Sequence, residues 1–268
     1  MEKTYLLVGG DRRQFWLSRF LVPRGQVYTL GVPGLEDNVP DRPADVLILP
    51  TPCFSRSGRL HGLGEGLDPA SLSGLYDEHT RIYGGAVPEH PETRLPGCVF
   101  VTDLLRDPGV KAANGRLTAE AALELTEERL ESSVFGMPCL VLGYGCVGKP
   151  LAALLMAMHA EVTVAARRAE VRAEAAQSGC RVCAFQGLPE RPRVVFNTVP
   201  AAALSPGALD ALGQDCLWVE LASAPGGLPA GYAPAFSVMG ANSLPGRRLP
   251  RSAASVLLEG ILRCEVKA

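Results

Sequence analysis

The segment that most restricts what this chain can fold into is Cys139-Leu-Val-Leu-Gly143-Tyr144-Gly145-Cys146-Val147-Gly148. An apolar run ends in glycines spaced as GxGxxG, and a helical run, Leu151 to Met158, follows directly. In that setting each glycine has a task. Gly143 permits a tight turn, Gly145 lets the backbone approach a pyrophosphate, and Gly148 lets strand and helix pack closely. The helix start offers free N–H groups and positive potential to phosphates. A second strand, Glu161 to Ala165, lies at the expected distance, so the segment reads as the opening βαβ unit of a dinucleotide-binding domain, with Gly143 to Gly148 as its phosphate loop.

Choice between the two nicotinamide dinucleotides is made after that second strand, where an acidic side chain usually accepts from the ribose 2′-hydroxyl of NAD. Here the chain reads Val164-Ala165-Ala166-Arg167-Arg168. A carboxylate is missing, and two guanidiniums stand where a 2′-phosphate would lie, which predicts NADP. Further on, Asn197-Thr198-Val199-Pro200 and Ser223 each follow an apolar run. Strand ends of this kind flank the ligand in open α/β sheets, so these residues are expected beside the nicotinamide.

Short apolar runs alternating with helical patterns recur along the chain: Tyr5 to Val8, Val46 to Leu49, Val99 to Thr102, Leu140 to Gly143, Glu161 to Ala165, Val194 to Asn197 and Leu217 to Leu221. This pattern predicts an α/β protein with two doubly wound parallel-sheet domains, the second a Rossmann dinucleotide-binding domain. Between them, Leu117 to Ser132 has an apolar face (Ala121, Ala122, Leu125, Leu130) and an acidic one, and reads as a hinge helix. Asn114 and Gly115 form a turn before it, and Thr118 is its expected N-cap. The expected division is 1–116 for a substrate-side domain, 117–244 for the NADP domain, and 245–268 for a loop and helix, Ala253 to Leu262, returning to the first domain. Asn114, Thr118 and Glu120 would then face a ligand cleft.

Composition excludes several classes. A formal net charge of −2 gives no general pull towards nucleic acid or an anionic membrane. The most apolar stretch, Cys139 to Ala166, contains Lys149, Pro150, His159 and Glu161, so it is not a membrane span. The N-terminus lacks the long apolar core of a secretory signal, and the eight cysteines are expected as reduced thiols of a cytoplasmic protein. Cys180 and Cys183 have CxxC spacing but sit in a strand-like CRVCAF without a second pair, and are assigned to packing; no metal is expected.

The first half opens with another strand, glycines and a helix start, Tyr5 to Gln14. Asp11, Arg13 and Gln14 stand at a strand's carboxyl end beside a helix N-terminus, which suits a carboxylate ligand; Asp11 as a simple N-cap is the alternative. Arg247, Arg248 and Arg251 form a second basic cluster before the last helix. Two such clusters would accommodate a small dicarboxylate. Asp11 and Glu120 are the carboxylates available for acid/base work, and the residues do not choose between them.

Taken in order, Gly9-Gly10-Asp11 with Arg13-Gln14, Asn114 with Thr118-Ala119-Glu120, Val141-Leu-Gly-Tyr-Gly145, Ala166-Arg167, Asn197-Thr-Val-Pro200, Glu220-Leu-Ala-Ser223 with Pro225-Gly-Gly227, and Leu244-Pro-Gly246 resemble, along the whole chain, the family formed by the A subunits of dipicolinate synthase. The pattern departs at Cys146 and Ala224, where basic residues are usual. The resemblance implies a two-domain fold of the formate/glycerate dehydrogenase group, NADP binding, and oxidation of a dihydro- or hydroxytetrahydropyridine dicarboxylate to dipicolinate during sporulation. It also implies a flavoprotein, the B subunit of that synthase, as partner, and a homo-oligomer is compatible with it. The other reading is a non-catalytic, NADPH-binding partner or sensor subunit of a flavoprotein complex. A 2-hydroxyacid dehydrogenase would need a late histidine, and none follows His159.

Overall fold

The structure is a computed structural model and describes residues 2–266. In chain order the elements are β1 (Thr4–Val8), α1 (Arg12–Leu21), β2 (Gln26–Leu30), β3 (Val46–Ile48), β4 (Arg81–Gly84), β5 (Phe100–Asp103) and α2 (Pro108–Leu130). There follow β6 (Pro138–Leu142), α3 (Gly148–Ala157), β7 (Glu161–Ala165), α4 (Ala169–Gln177), β8 (Arg181–Cys183), β9 (Val194–Asn197), α5 (Pro206–Asp210), β10 (Leu217–Glu220), β11 (Ser237–Gly240), α6 (Leu244–Arg248) and α7 (Pro250–Val266). Two compact units result. One comprises the chain up to Asn114 together with that from Pro245 on, and the other is Gly115–Leu244.

The first unit is built on a parallel sheet in the order β2-β1-β3-β4-β5. Alternation along the central strands divides its core. Tyr5, Leu7, Val46 and Ile48 pack on Leu17 and Leu21 of α1 and on Ala254, Leu257 and Ile261 of α7. Leu6, Val8, Leu47 and Leu49 face the other way, onto Cys53, Leu60, Leu72 and Leu95. That second face is roofed by the Pro- and Gly-rich stretch between β3 and β5, which forms 3-10 turns rather than full helices. Full burial of each leucine contributes about 1.5–3 kcal/mol. The irregular roof therefore holds the sheet by its anchoring leucines.

The second unit carries a six-stranded parallel sheet in the order β11-β10-β9-β6-β7-β8. Outward from β6, this is the doubly wound order of dinucleotide-binding domains, with the reversal between β6 and β9. Trp218 and Phe196 are fully buried, and Trp218 stacks on Phe236 with ring centroids 5.9 Å apart.

Three expectations about local structure are corrected. α2 begins ten residues before Thr118, so Asn114 and Gly115 are helical and form no turn, and Thr118 lies inside the helix as a buried side chain rather than a cap. Asp107 occupies the capping position instead: its carboxylate accepts from the Val110 N–H at 2.8 Å and pairs with Arg263, and Pro108 takes the first helical position, where its missing N–H is harmless. The basic segment Leu244–Ser252, expected as a loop, is helical through α6 and the first turn of α7. Pro250 starts that last helix, three residues before Ala253. No helix among the described residues is long and apolar enough to cross a membrane.

Candidate functional site

The three glycines of the phosphate loop have distinct surroundings. Gly143 turns at φ +91°, and a Cβ there would lie 2.6 Å from Thr198 Oγ1. A Cβ at Gly148 would strike the Gly143 carbonyl, so α3 starts in direct contact with the strand end. A Cβ at Gly145 would meet nothing within 4 Å. The chain thus closes tightly at the first and third glycines and leaves open space at the second. α3 follows Val147, with no side-chain cap among the described residues, and its Lys149 N–H is met by the Gly145 carbonyl at 3.0 Å.

Pro150 falls in the first turn of α3, where helix donors have no intrahelical acceptor to lose, and Leu151 N–H already bonds Val147 O. Gly115 of α2 packs on the Cys146 carbonyl, and any side chain there would displace the loop. Its role is close approach, not the turn expected from the sequence.

Beside the loop lies a cavity of about 630 Å³ lined by Gly143, Tyr144, Gly145, Ala166, Arg167, Arg168, Val171, Phe185, Gln186 and Val199. It brings together the phosphate loop, the β7 end with its two arginines, and the wall following β9. Both arginines are exposed. Lys149, also exposed, is paired with Glu174 at 2.5 Å and sits over the Tyr144 ring. Cys146, Pro200 and Ser223 are exposed and do not line this cavity.

Asn197 and Thr198, expected beside the nicotinamide, both use their side chains in bonds within the second unit. Asn197 is fully buried; its amide donates to Val199 O and to Glu220 Oε1, and its carbonyl oxygen accepts from Val199 N–H. Thr198 Oγ1 donates to Leu142 O across the β6/β9 reversal. Both side chains are occupied in shaping the wall that Val199 presents. Glu220, missed from sequence, is the hub behind them: its carboxylate accepts from Asn197, Trp218 Nε1, Ala222 N–H and Gly227 N–H at 2.6–3.1 Å. One carboxylate so ties the ends of β9 and β10 to the Pro225-Gly226-Gly227 loop.

In the first unit the residues expected to grip a carboxylate are engaged with one another. Asp11 caps α1, accepting from Arg13 N–H at 2.9 Å, and its carboxylate receives Arg13 Nε and Nη2 in a forked pair. Arg13 Nη2 also donates to Thr51 O, and the Arg13 side chain is only 11% exposed. Burial pushes the Asp11 carboxyl up, but the Arg13 hydrogen bonds and charge, with a smaller contribution from His61, hold it below the ordinary carboxylate range. It is therefore ionised at neutral pH. Gln14 is buried and bridges Val8 O and Ile48 O, pinning the β1/β3 reversal. α6 closes over this group at Gly246, where a Cβ would lie 2.5 Å from Asp11 Oδ2 and 2.7 Å from Arg13 Nε.

Arg247 is exposed at the end of α6, Arg248 is half-buried, and Arg251 stacks on Trp16, 5.2 Å from the ring centroid. Glu120 is exposed on α2, while Asn114 is half-buried in the same helix. His61 was not anticipated: it is exposed, and its carbonyl accepts from Gly10 N–H at 2.6 Å, which places it at the β1 end.

The buried and half-buried cysteines behave as packing groups. Burial pushes the thiols of Cys53, Cys139 and Cys216 to about 12, and raises those of Cys180 and Cys183. The Cys180 Sγ lies 3.7 Å from Met156 Sδ.

No protein-family model matches the chain. It is 24% identical over 272 residues to the A subunit of dipicolinate synthase from Bacillus subtilis, in a match that spans 94% of this chain and 92% of the relative. The crystal structure of the dipicolinate synthase A subunit from Bacillus halodurans superposes with a TM-score of 0.84 at 22% identity, covering 98% of this chain and 97% of that one. A transhydrogenase from Sinorhizobium meliloti follows at 0.71 and 13% identity, with 97% and 92% covered. In sequence and in fold, and along nearly its whole length, the chain is similar to the A subunit of dipicolinate synthase.

Proposed function

We propose that this chain is an NADP-dependent oxidoreductase of the dipicolinate synthase A-subunit type, a cytoplasmic protein that oxidises a dihydro- or hydroxytetrahydropyridine dicarboxylate to dipicolinate during sporulation. The observation that carries the cofactor half is the second unit's cavity: an open phosphate loop at Gly145 with Arg167 and Arg168 at the end of β7 and no carboxylate there. The dinucleotide supplies a hydride acceptor when bound. The chain's own part is to hold it. The α3 N-terminus receives the pyrophosphate, the two arginines receive the 2′-phosphate, and the wall fixed by Glu220 and Asn197 orients the remainder.

The substrate half rests on the whole-chain similarity to the dipicolinate synthase A subunit. A hydroxytetrahydropyridine first loses water to give the dihydropyridine, and removing a hydride and a proton from that ring makes it aromatic, which drives the reaction forward. Because Arg13 is engaged by Asp11, the guanidiniums proposed for the two carboxylates are the exposed Arg12 and Arg247, whose neighbours Arg13 and Gly246 pack together. Asp11 is held ionised, so it serves as a proton acceptor rather than a donor. A flavoprotein B subunit is the proposed partner.

The test is turnover by the isolated chain. Purified protein, NADP and a dihydropyridine dicarboxylate should give dipicolinate and reduced cofactor in equal amounts. Binding of NADPH without turnover, with activity appearing only when a flavoprotein is added, would instead support a non-catalytic NADPH-binding role.

A further inference from the structure

Arg172 lies on α4 behind the two arginines assigned to the 2′-phosphate. Its Nη1 donates to the carbonyls of both Ala166 and Arg167, at 2.8 and 2.7 Å. Its own N–H bonds Arg168 O at 3.2 Å, so the residue is fixed by the first turn of the helix. On the other side, Ala166 N–H donates to Cys183 O of β8. The connection between β7 and α4 is thus clamped from two directions, and Arg172 is half-buried in doing so.

The clamp has an electrostatic consequence. In a trans peptide the N–H points opposite to the carbonyl of the same plane. With the carbonyls of Ala166 and Arg167 turned to Arg172, the N–H groups of Arg167 and Arg168 point away from it, on residues that line the cavity. Carbonyl oxygens facing the cavity would repel an anion; N–H groups there attract one.

From this, and resting on the NADP reading above, we infer that Arg172 is the positioning residue that sets dinucleotide choice, by holding the β7–α4 turn with its donors towards the 2′-phosphate. Arg167 and Arg168 supply charge at the phosphate. Arg172 supplies orientation and touches no part of the ligand. A phosphate that is absent from NAD gains nothing from this orientation, so the residue acts on selectivity rather than on general nucleotide affinity.

The experiment is a titration of NADPH and NADH on the full chain and on Arg172→Met, Arg172→Gln and Arg172→Lys, with melting curves for each. Arg172→Met should weaken NADPH by roughly tenfold, as the turn's donors lose their alignment, and leave NADH within about twofold. Because one nitrogen makes both bonds, Arg172→Lys should recover most of the loss, with Arg172→Gln between them. Equal weakening of both nucleotides, or no weakening of NADPH in any folded variant, overturns the inference. Equal affinities in the unmodified protein overturn the NADP reading itself, and this inference with it, before any variant is made.

Discussion

The two units begin with the same syntax, a buried strand, glycines and a helix, and finish it in opposite ways. In the first, α1 is capped by Asp11, the cap is paired with Arg13, Gly10 is crowded by Gln14, and Gly246 covers the group. In the second, α3 has no side-chain cap among the described residues, and Gly145 faces open space. A helix N-terminus favours an anion. Where the chain provides that anion itself, the helix start is a structural joint; where it does not, the start is free to receive a phosphate. Glycines after a strand therefore say less about binding than whether an acidic residue follows them.

The strongest way to break this contrast is Gly145→Val. The side chain has room, so the melting temperature should hold, while NADPH affinity should fall by at least about a hundredfold because the branched group stands where the pyrophosphate approaches. Calorimetric titration alongside thermal melting checks it. Retained affinity would mean that the open space has another use.

The mirror substitution, Gly10→Ala, should do the reverse. Gly10 adopts φ +82°, and a Cβ would lie 2.5 Å from Gln14 Cγ. Strain of this kind costs about 1–3 kcal/mol, read as a lower denaturation midpoint with NADPH binding unchanged.

How much of this was legible in the sequence follows from the range of the interactions involved. The glycine turn between β6 and α3, the absence of an acidic residue after β7, and the parallel α/β architecture are written in local spacing. So was the true start of α2, since Asp107-Pro108 is an N-cap followed by a favoured first helical residue. By contrast, β2 carries exposed and half-buried side chains and so lacks the apolar run that marks a buried strand. The roles of Asn197, Glu220, Gln14 and Arg172 depend on carbonyls and amides brought from other strands or turned by the local backbone. A polar residue at a strand end looks the same whether it meets a ligand or the neighbouring strand.

A third test sharpens the second unit's side of the comparison. Arg167→Ala should narrow the NADPH-over-NADH preference by roughly 1–2 kcal/mol if one charged hydrogen bond to the 2′-phosphate is lost. Titration of both nucleotides gives the difference directly. An unchanged ratio would transfer the role to Arg168.

The smallest effect on stability is expected at Asp11. Asparagine remains a good N-cap, so Asp11→Asn removes only the ion pair, and with the Asp11 side chain 41% exposed the loss should stay below about 1 kcal/mol at neutral pH. Its pH dependence carries the sign. A carboxyl whose pKa is lowered by folding contributes fully above its unfolded value near 3.8 and loses that contribution as the pH falls through the lower folded value. Unfolding midpoints of the unmodified protein and Asp11→Asn should therefore differ at pH 7 and converge in acid. A constant gap would show that Asp11 acts through shape alone.

The first unit is discontinuous in sequence, and this bears on the order of events during synthesis. The apolar face of α1, with Leu17 and Leu21, is covered by Ala254, Leu257 and Ile261 of α7, at the far end of the chain. The whole stretch Gly115–Leu244 leaves the ribosome in between. At about 5–20 residues per second, that face waits roughly ten to fifty seconds for its cover, while the second unit is already complete and able to fold. The nascent first unit is thus the part that would expose apolar surface to chaperones, and the other unit, though second in the chain, is the first that can finish.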